Sequence, residues 1–263
     1  MSVRSQSWEF RANAIVVITA MLLRGSAAVA DTNDGYGANV PTALTPVIQS
    51  FFVTESVFPQ QPGELQLRLG SELSTQSHST LRDTSVSIGL EYGVTSKLQI
   101  SADVPWHQSR DVAGLGHDGL GPLSVGMLYN AFAPSREPAM SLLLEVTAPS
   151  AGEPEEDSGT QVQFLIILAS SFDALQVHLN LGGELTDGGD SAVLLGAGVL
   201  LQAGPLTPTI ELSASTSAQE TTLNIVPGLH WRANASTDLS IGASAGIAGS
   251  NQFAILSAVT VEF

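Results

Sequence analysis

The stretch Ser85 to Trp106, SVSIGLEYGVTSKLQISADVPW, is two alternating runs around one short turn. In the first run Val86, Ile88, Leu90, Tyr92 and Val94 share a face, against Ser85, Ser87, Gly89, Glu91 and Gly93. In the second, Leu98, Ile100, Ala102 and Val104 oppose Gln99, Ser101 and Asp103. A period of two is the period of a β-strand, and it excludes a helix over these residues. Alternation also constrains the register, because a slip of one residue would put apolar side chains opposite polar ones. A three-residue turn, Thr95 to Lys97, keeps the faces sorted: Val94 faces Leu98, Tyr92 faces Ile100, Leu90 faces Ala102 and Ile88 faces Val104. Each run is about ten residues, the length at which a tilted strand crosses a bilayer.

The pattern recurs along the chain. Strands are expected over 64–75, 85–94, 98–106, 123–131, 140–147, 160–169, 175–185, 192–202, around 209–214, 222–232, 239–247 and 252–263. Odd-numbered connections include two long loops, 107–121 and 149–159, while even-numbered connections are short. Long loops on one rim and short turns on the other mark an up-and-down barrel of the outer-membrane type. The expected fold is therefore all-β: a transmembrane antiparallel up-and-down β-barrel of about twelve strands. The rival is a soluble β-sandwich, which needs one apolar face per sheet and no paired aromatic girdles. Tyr92, Trp231 and Phe263 fall on the outward parity near the short-turn rim, and Trp106, Phe164 and Phe253 near the long-loop rim, as membrane-interface aromatics would.

The N-terminus reads as an export signal. Arg4 and Arg11 precede the apolar run Ala12 to Leu23, and Ala28-Val29-Ala30 supplies small residues for cleavage. The organisation expected is a signal peptide over 1–30, an N-terminal extension or plug over 31–63, and an outer-membrane β-barrel over 64–263. Within the extension, 49–58 leaves three readings open: an extra strand, an extended lead-in, or part of a plug. The chain has no cysteine, so disulfides and thiolate chemistry are excluded. Of its nine Lys and Arg, three precede residue 31, as does one of its twenty-five Asp and Glu. The remainder carries a net charge of −18, which argues against nucleic acid as a partner.

Inward parity selects Arg68, Glu72, Glu91, Asp103, Glu145, Gln163, His178, Asn180, Glu184, Glu211, Asn224, His230 and Arg232 as lumen-lining candidates. Acids outnumber bases, so an open lumen would favour cations or neutral solutes. A closed lumen would pair Arg68 or Arg232 with a carboxylate. Two strands do not alternate cleanly. Leu165 and Ile167 put apolar side chains on an inward face, and 192–202 is Gly-rich and apolar on both. Pro227, which cannot donate to a ladder, marks a bulge.

Enzyme chemistry is not expected. His78, His107 and His117 fall in loops, His178 and His230 have lumen parity, and no nucleophile elbow accompanies them. No metal-ligand spacing and no cofactor motif is present. The acidic run Glu153-Pro154-Glu155-Glu156-Asp157 reads as a solvated loop, with contact to a cation or cation-bridged lipopolysaccharide as the alternative. The expected partners are outer-membrane lipid and lipopolysaccharide, a small-molecule solute, and the barrel-assembly machinery. The closing strand, ending in Phe263, is similar to the C-terminal signal that this machinery reads.

Several short motifs resemble the bacterial outer-membrane barrel family named for the meta-pathway of phenol degradation. They are Thr54-Glu55-Ser56, Phe58-Pro59, Pro62-Gly63 and Leu65-Gln66-Leu67, then Leu90 to Thr95 with Leu98-Gln99-Ile100. Gly116 to Gly119, Pro149 to Gly152, Asn224 and Pro227-Gly228-Leu229 continue the likeness. Arg68 stands where that family is expected to carry an acid, and an Arg-Pro-Asp lead-in before Thr54 is missing. The resemblance implies an outer-membrane barrel that passes small hydrophobic or aromatic solutes passively. It implies no catalytic residue. The alternative is a structural or surface-interaction barrel with a blocked lumen.

Overall fold

Consecutive wall strands of this chain pair antiparallel, and the last pairs with the first. The computed structural model describes residues 48, 50–76, 82–110, 116–132, 138–149, 159–187, 189, 191–249 and 252–263. The strands are β1 (Leu65–Gln76), β2 (Arg82–Thr95), β3 (Leu98–Arg110), β4 (Gly116–Leu120), β5 (Leu123–Phe132), β6 (Ala139–Ala148) and β7 (Gln161–Phe172). They continue as β8 (Leu175–Thr186), β9 (Ala192–Leu201), β10 (Leu206–Thr216), β11 (Thr221–Asn234), β12 (Thr237–Ala248) and β13 (Gln252–Glu262). β4 and β5 are one wall strand broken at Gly121-Pro122: both pair with β3, β5 along Leu98–Asp103 and β4 along Trp106–Arg110. The result is a closed twelve-stranded antiparallel barrel, all-β, with β1 joined to both β2 and β13. At the seam Leu65 and Phe263 exchange backbone hydrogen bonds of 3.2 and 2.9 Å.

The alternation sets inside from outside. Ile88, Leu90, Ile100, Val125, Leu142, Ile166, Leu181, Leu195, Ile210 and Ile255 are all exposed, and together they belt the barrel. Gln66, Gln99, Asn130, Ser141, His178 and Glu211, on the opposite parity, are buried. This inversion of the water-soluble pattern suits a wall in hydrocarbon, where closure leaves no backbone group unpaired. It removes the β-sandwich alternative, whose sheets keep edges.

Three local expectations need correction. Tyr92, Leu90 and Ile88 do face Ile100, Ala102 and Val104, but Leu98 faces Thr95 instead of Val94. The turn is the two residues Ser96-Lys97, and Val94 is the extra residue of a bulge. A tight hairpin turn and a bulge together absorb an odd residue without mixing the faces. Second, within the expected loop 107–121, residues 107–110 and 116–120 are strand. His107 to Arg110 extend β3 and pair with 116–119 of β4, and Arg110 bonds Asp118 at 2.8 Å. A polar hairpin outside the apolar belt carries no hydrophobic alternation, so its sequence hides it. Third, no bulge occurs at Pro227. The β11–β12 register is the same at Ile225↔Ala245 and Gly228↔Gly242, and the shifts lie at Leu223/Asn224 and Arg232/Asn234.

His78, the acidic run 153–157 and the whole of 1–47, with the expected signal peptide, lie outside the described residues.

Leu90 is outward, mid-strand, between Leu67 and Ala102. Leu90→Arg should cost about 2–4 kcal/mol of folding stability in vesicles, while Leu90→Ile should be close to neutral. Denaturant unfolding in lipid vesicles checks this.

Candidate functional site

The site is the lumen, and residues 50–62 lie inside it. The chain enters β1 through Gly63, which has φ +84°, and Gly63 N donates to Gly93 O at 2.7 Å beside the short-turn rim. That backbone conformation suits glycine. Upstream the segment forms no strand with the wall, so its backbone groups need side-chain partners. The barrel supplies them. Phe52 N donates to Glu211 Oε1 at 3.0 Å, and Val53 N and Thr54 N each donate to Glu211 Oε2 at 2.8 Å. With its amide oxygen turned to the segment, Asn180 accepts from Glu55 N at 2.6 Å. Four consecutive amides are thus held by two wall side chains.

Carbonyls and side chains are held too. Arg68 Nη2 donates to Phe51 O at 3.1 Å. Ser141 Oγ and Asn130 Nδ2 donate to Val57 O at 2.6 and 3.4 Å. Gln60 N donates to Gln99 Oε1 at 2.8 Å. Gln60 Nε2 reaches Gln66 at 2.7 Å and Glu91 at 3.1 Å, and Gln99 Nε2 donates to the same Glu91 oxygen at 3.0 Å. Hydrogen bonds to a carboxylate are the stronger kind, so Glu211, with three of the segment's amides, and Glu91, with Gln60, contribute most to this set.

Apolar contacts complete the docking. Val57 is fully buried with Leu128, Leu143, Leu165 and Ile167, and Phe58 packs on the cluster. Burying one such side chain contributes about 1.5–3 kcal/mol. The Phe51 ring lies 4.9 Å from His178 and the Phe52 ring 5.2 Å from His230. Glycines make the room: a Cβ on Gly198 would come 3.0 Å from the Phe51 ring, and Cβ atoms on Gly228 and Gly242 would come 2.8 and 2.9 Å from the Phe52 ring. The inward apolar residues of β7 and the Gly-rich face of β9 thus meet the segment. Their sequence shows a break in alternation, but not what fills it.

Above the segment a cavity of about 360 Å³ remains, lined by Glu55, Arg68, Glu91, Asp103, Glu145 and several serines. Glu72 also lines it. Gln163 stands in register between Glu145 on β6 and Glu184 on β8. Arg232 makes two 3.1 Å bonds to Asp238, a residue parity reasoning did not select. Arg68 has no ion pair within 4.0 Å among the described residues and instead serves the segment's carbonyl. Asn224 stands opposite Ser213, half-buried and apart from the segment's hydrogen bonds. His178 and His230 face phenylalanine rings, not a nucleophile. Tyr92, Trp106, Phe164, Trp231, Phe253 and Phe263 are all exposed on the outside, and Tyr129, Phe132 and Phe172 join them near the short-turn rim.

Glu55 lines the cavity, with its side chain open to the lumen. The surrounding barrel wall, which thins the water around it, then the charges of Glu91, Glu145 and Glu211 against the pull of Arg68, raise its carboxyl to about 7. A carboxyl raised in the docked state favours docking fully below about 4.5, and that contribution is lost as pH rises through about 7. The chain has no cysteine, so a spin label on Val53→Cys reports on the segment alone. Its mobility should increase from pH 4.5 to 8, and Glu55→Gln should flatten the change.

No family model and no curated protein matches this chain. Solved structures do. The COG4313 outer membrane channel from Pseudomonas putida F1 superposes with a TM-score of 0.62 at 14% identity, covering 79% of this chain and 98% of that one. The KdgM porin in complex with disordered oligogalacturonate gives 0.56 at 10% identity, covering 75% and 99%. The NanC porin gives 0.56 at 8% identity, covering 74% and 98%. At these identities the likeness is one of fold: the chain has the architecture of outer-membrane channels and porins.

Proposed function

We propose that this protein is a porin-like passive channel of an outer membrane, closed in the present conformation by its own residues 50–62. The observation that carries the reading is the character of the obstruction. The segment is seated by side-chain hydrogen bonds and ring contacts, with no ladder joining it to the wall, so it can leave without opening the barrel. The neighbours in fold, a channel and two porins, support the same reading. The solute class is small, hydrophobic or aromatic. Besides the motif resemblance, the lumen supports this: an apolar wall at Leu128, Leu143, Leu165 and Ile167 coexists with an acid-lined cavity. Lipid and lipopolysaccharide are the surroundings this location implies, and the assembly machinery its route there. The acidic cavity implies cation preference over anions.

A second reading has one observation in its favour. The docking is extensive enough to hold a permanently blocked, structural barrel. Planar-bilayer recording and liposome swelling with a small neutral sugar separate the two. A channel should show current steps with cation preference, and Asp103→Asn with Glu145→Gln should reduce that preference several-fold. Absence of both current and swelling would favour the blocked barrel.

A further inference from the structure

The segment's docking site has the build of a ligand site. Glu211 is fully buried, and the amides of Phe52, Val53 and Thr54 converge on its carboxylate. Two ring-sized recesses flank it. One is formed by His178 and Gly198 and holds Phe51; the other, formed by His230, Gly228 and Gly242, holds Phe52. Several buried polar atoms here have no partner among the described residues: both ring nitrogens of His178, His230 Nε2 and Thr209 Oγ1. Buried polar groups in folded proteins are ordinarily hydrogen-bonded, and each exception asks for an explanation. These atoms lie beside rings that carry no N–H or O–H. The segment thus fills the two recesses without satisfying their polar lining, as an exchangeable occupant would.

We infer that this place is a solute site for small aromatic amines, and that the segment is its resident stand-in. The inference rests on the channel reading and narrows its solute class. The ammonium group would replace the three amides on Glu211, and the aryl ring would take the recess of Phe51 or Phe52. A carboxylate solute of the same size would meet Glu211 with like charge and be refused. An aliphatic amine would pair with Glu211 but leave the recesses empty. Solute arrival and segment withdrawal would then be one competitive event, with the solute shifting the population only by its better affinity for the vacated site.

The test uses the full chain with the spin label on Val53→Cys and three probes: phenethylamine, phenylacetate and n-butylamine. Phenethylamine should raise label mobility and saturate. The other two, at equal concentration, should do so at least tenfold less effectively. Equilibrium dialysis of phenethylamine should show at least tenfold weaker binding to Glu211→Gln. Gly198→Val with Gly242→Val, which fill both recesses and leave the carboxylate, should weaken phenethylamine more than butylamine. Equal response to all three probes, no response to phenethylamine, or unchanged binding to Glu211→Gln would each overturn the inference. Conductance without amine binding would overturn this site and leave the channel. Amine binding without conductance would overturn the channel and leave the site.

Discussion

A β-sheet in hydrocarbon cannot keep an edge, because each unpaired amide or carbonyl there costs several kcal/mol. The closure of β1 on β13 answers that constraint, and the remaining architecture depends on it. Once the sheet is closed, every residue faces either lipid or lumen, and alternation becomes a division between two surroundings. The outside is Leu, Ile, Val and aromatic rings. The inside is Gln, Asn, Ser, Glu and His. Twelve strands enclose more space than their own inward side chains fill. A stretch of the same chain occupies part of that space, with the acid-lined cavity above it.

That stretch is ordered by the partners the wall offers. An irregular backbone buried in a barrel needs acceptors for its amides and donors for its carbonyls. Glu211 and Asn180 accept the first, and Arg68, Ser141 and Asn130 give the second. The same residues would face an empty lumen as isolated charges and amides. The arrangement explains why Arg68, amid Glu55, Glu91 and Asp103, serves a carbonyl and not a salt bridge: the segment needs a donor where it passes β1.

Most of the wall was legible in the sequence because lipid enforces strict alternation. Tyr92↔Ile100 and Leu90↔Ala102 follow from that rule alone. Where the rule lapses, legibility ends. The β3–β4 hairpin stands beyond the apolar belt, where nothing demands alternation, and it reads as a loop. The two-residue turn with its bulge at Val94 preserves parity, so parity could not reveal it. The inward Leu165 and Ile167 and the glycines of β9 were visible as irregularities. Their reason is Val57 and Phe51, more than a hundred residues away, and a periodicity cannot show a long-range partner. Residues 50–62 carry no period at all. Their side chains answer to the wall, not to a ladder.

The central claim is that residues 50–62 are a stopper that must leave for solute to pass. A Thr54 methyl carbon lies 3.2 Å from where a Cβ on Gly198 would stand, and the chain has no native cysteine. Thr54→Cys with Gly198→Cys therefore places one engineered pair across the segment–wall junction, near the spacing a disulfide requires. Single-channel conductance of this variant should be absent when the pair is oxidised and return when it is reduced. A disulfide that forms fully and leaves the conductance unchanged would contradict the account.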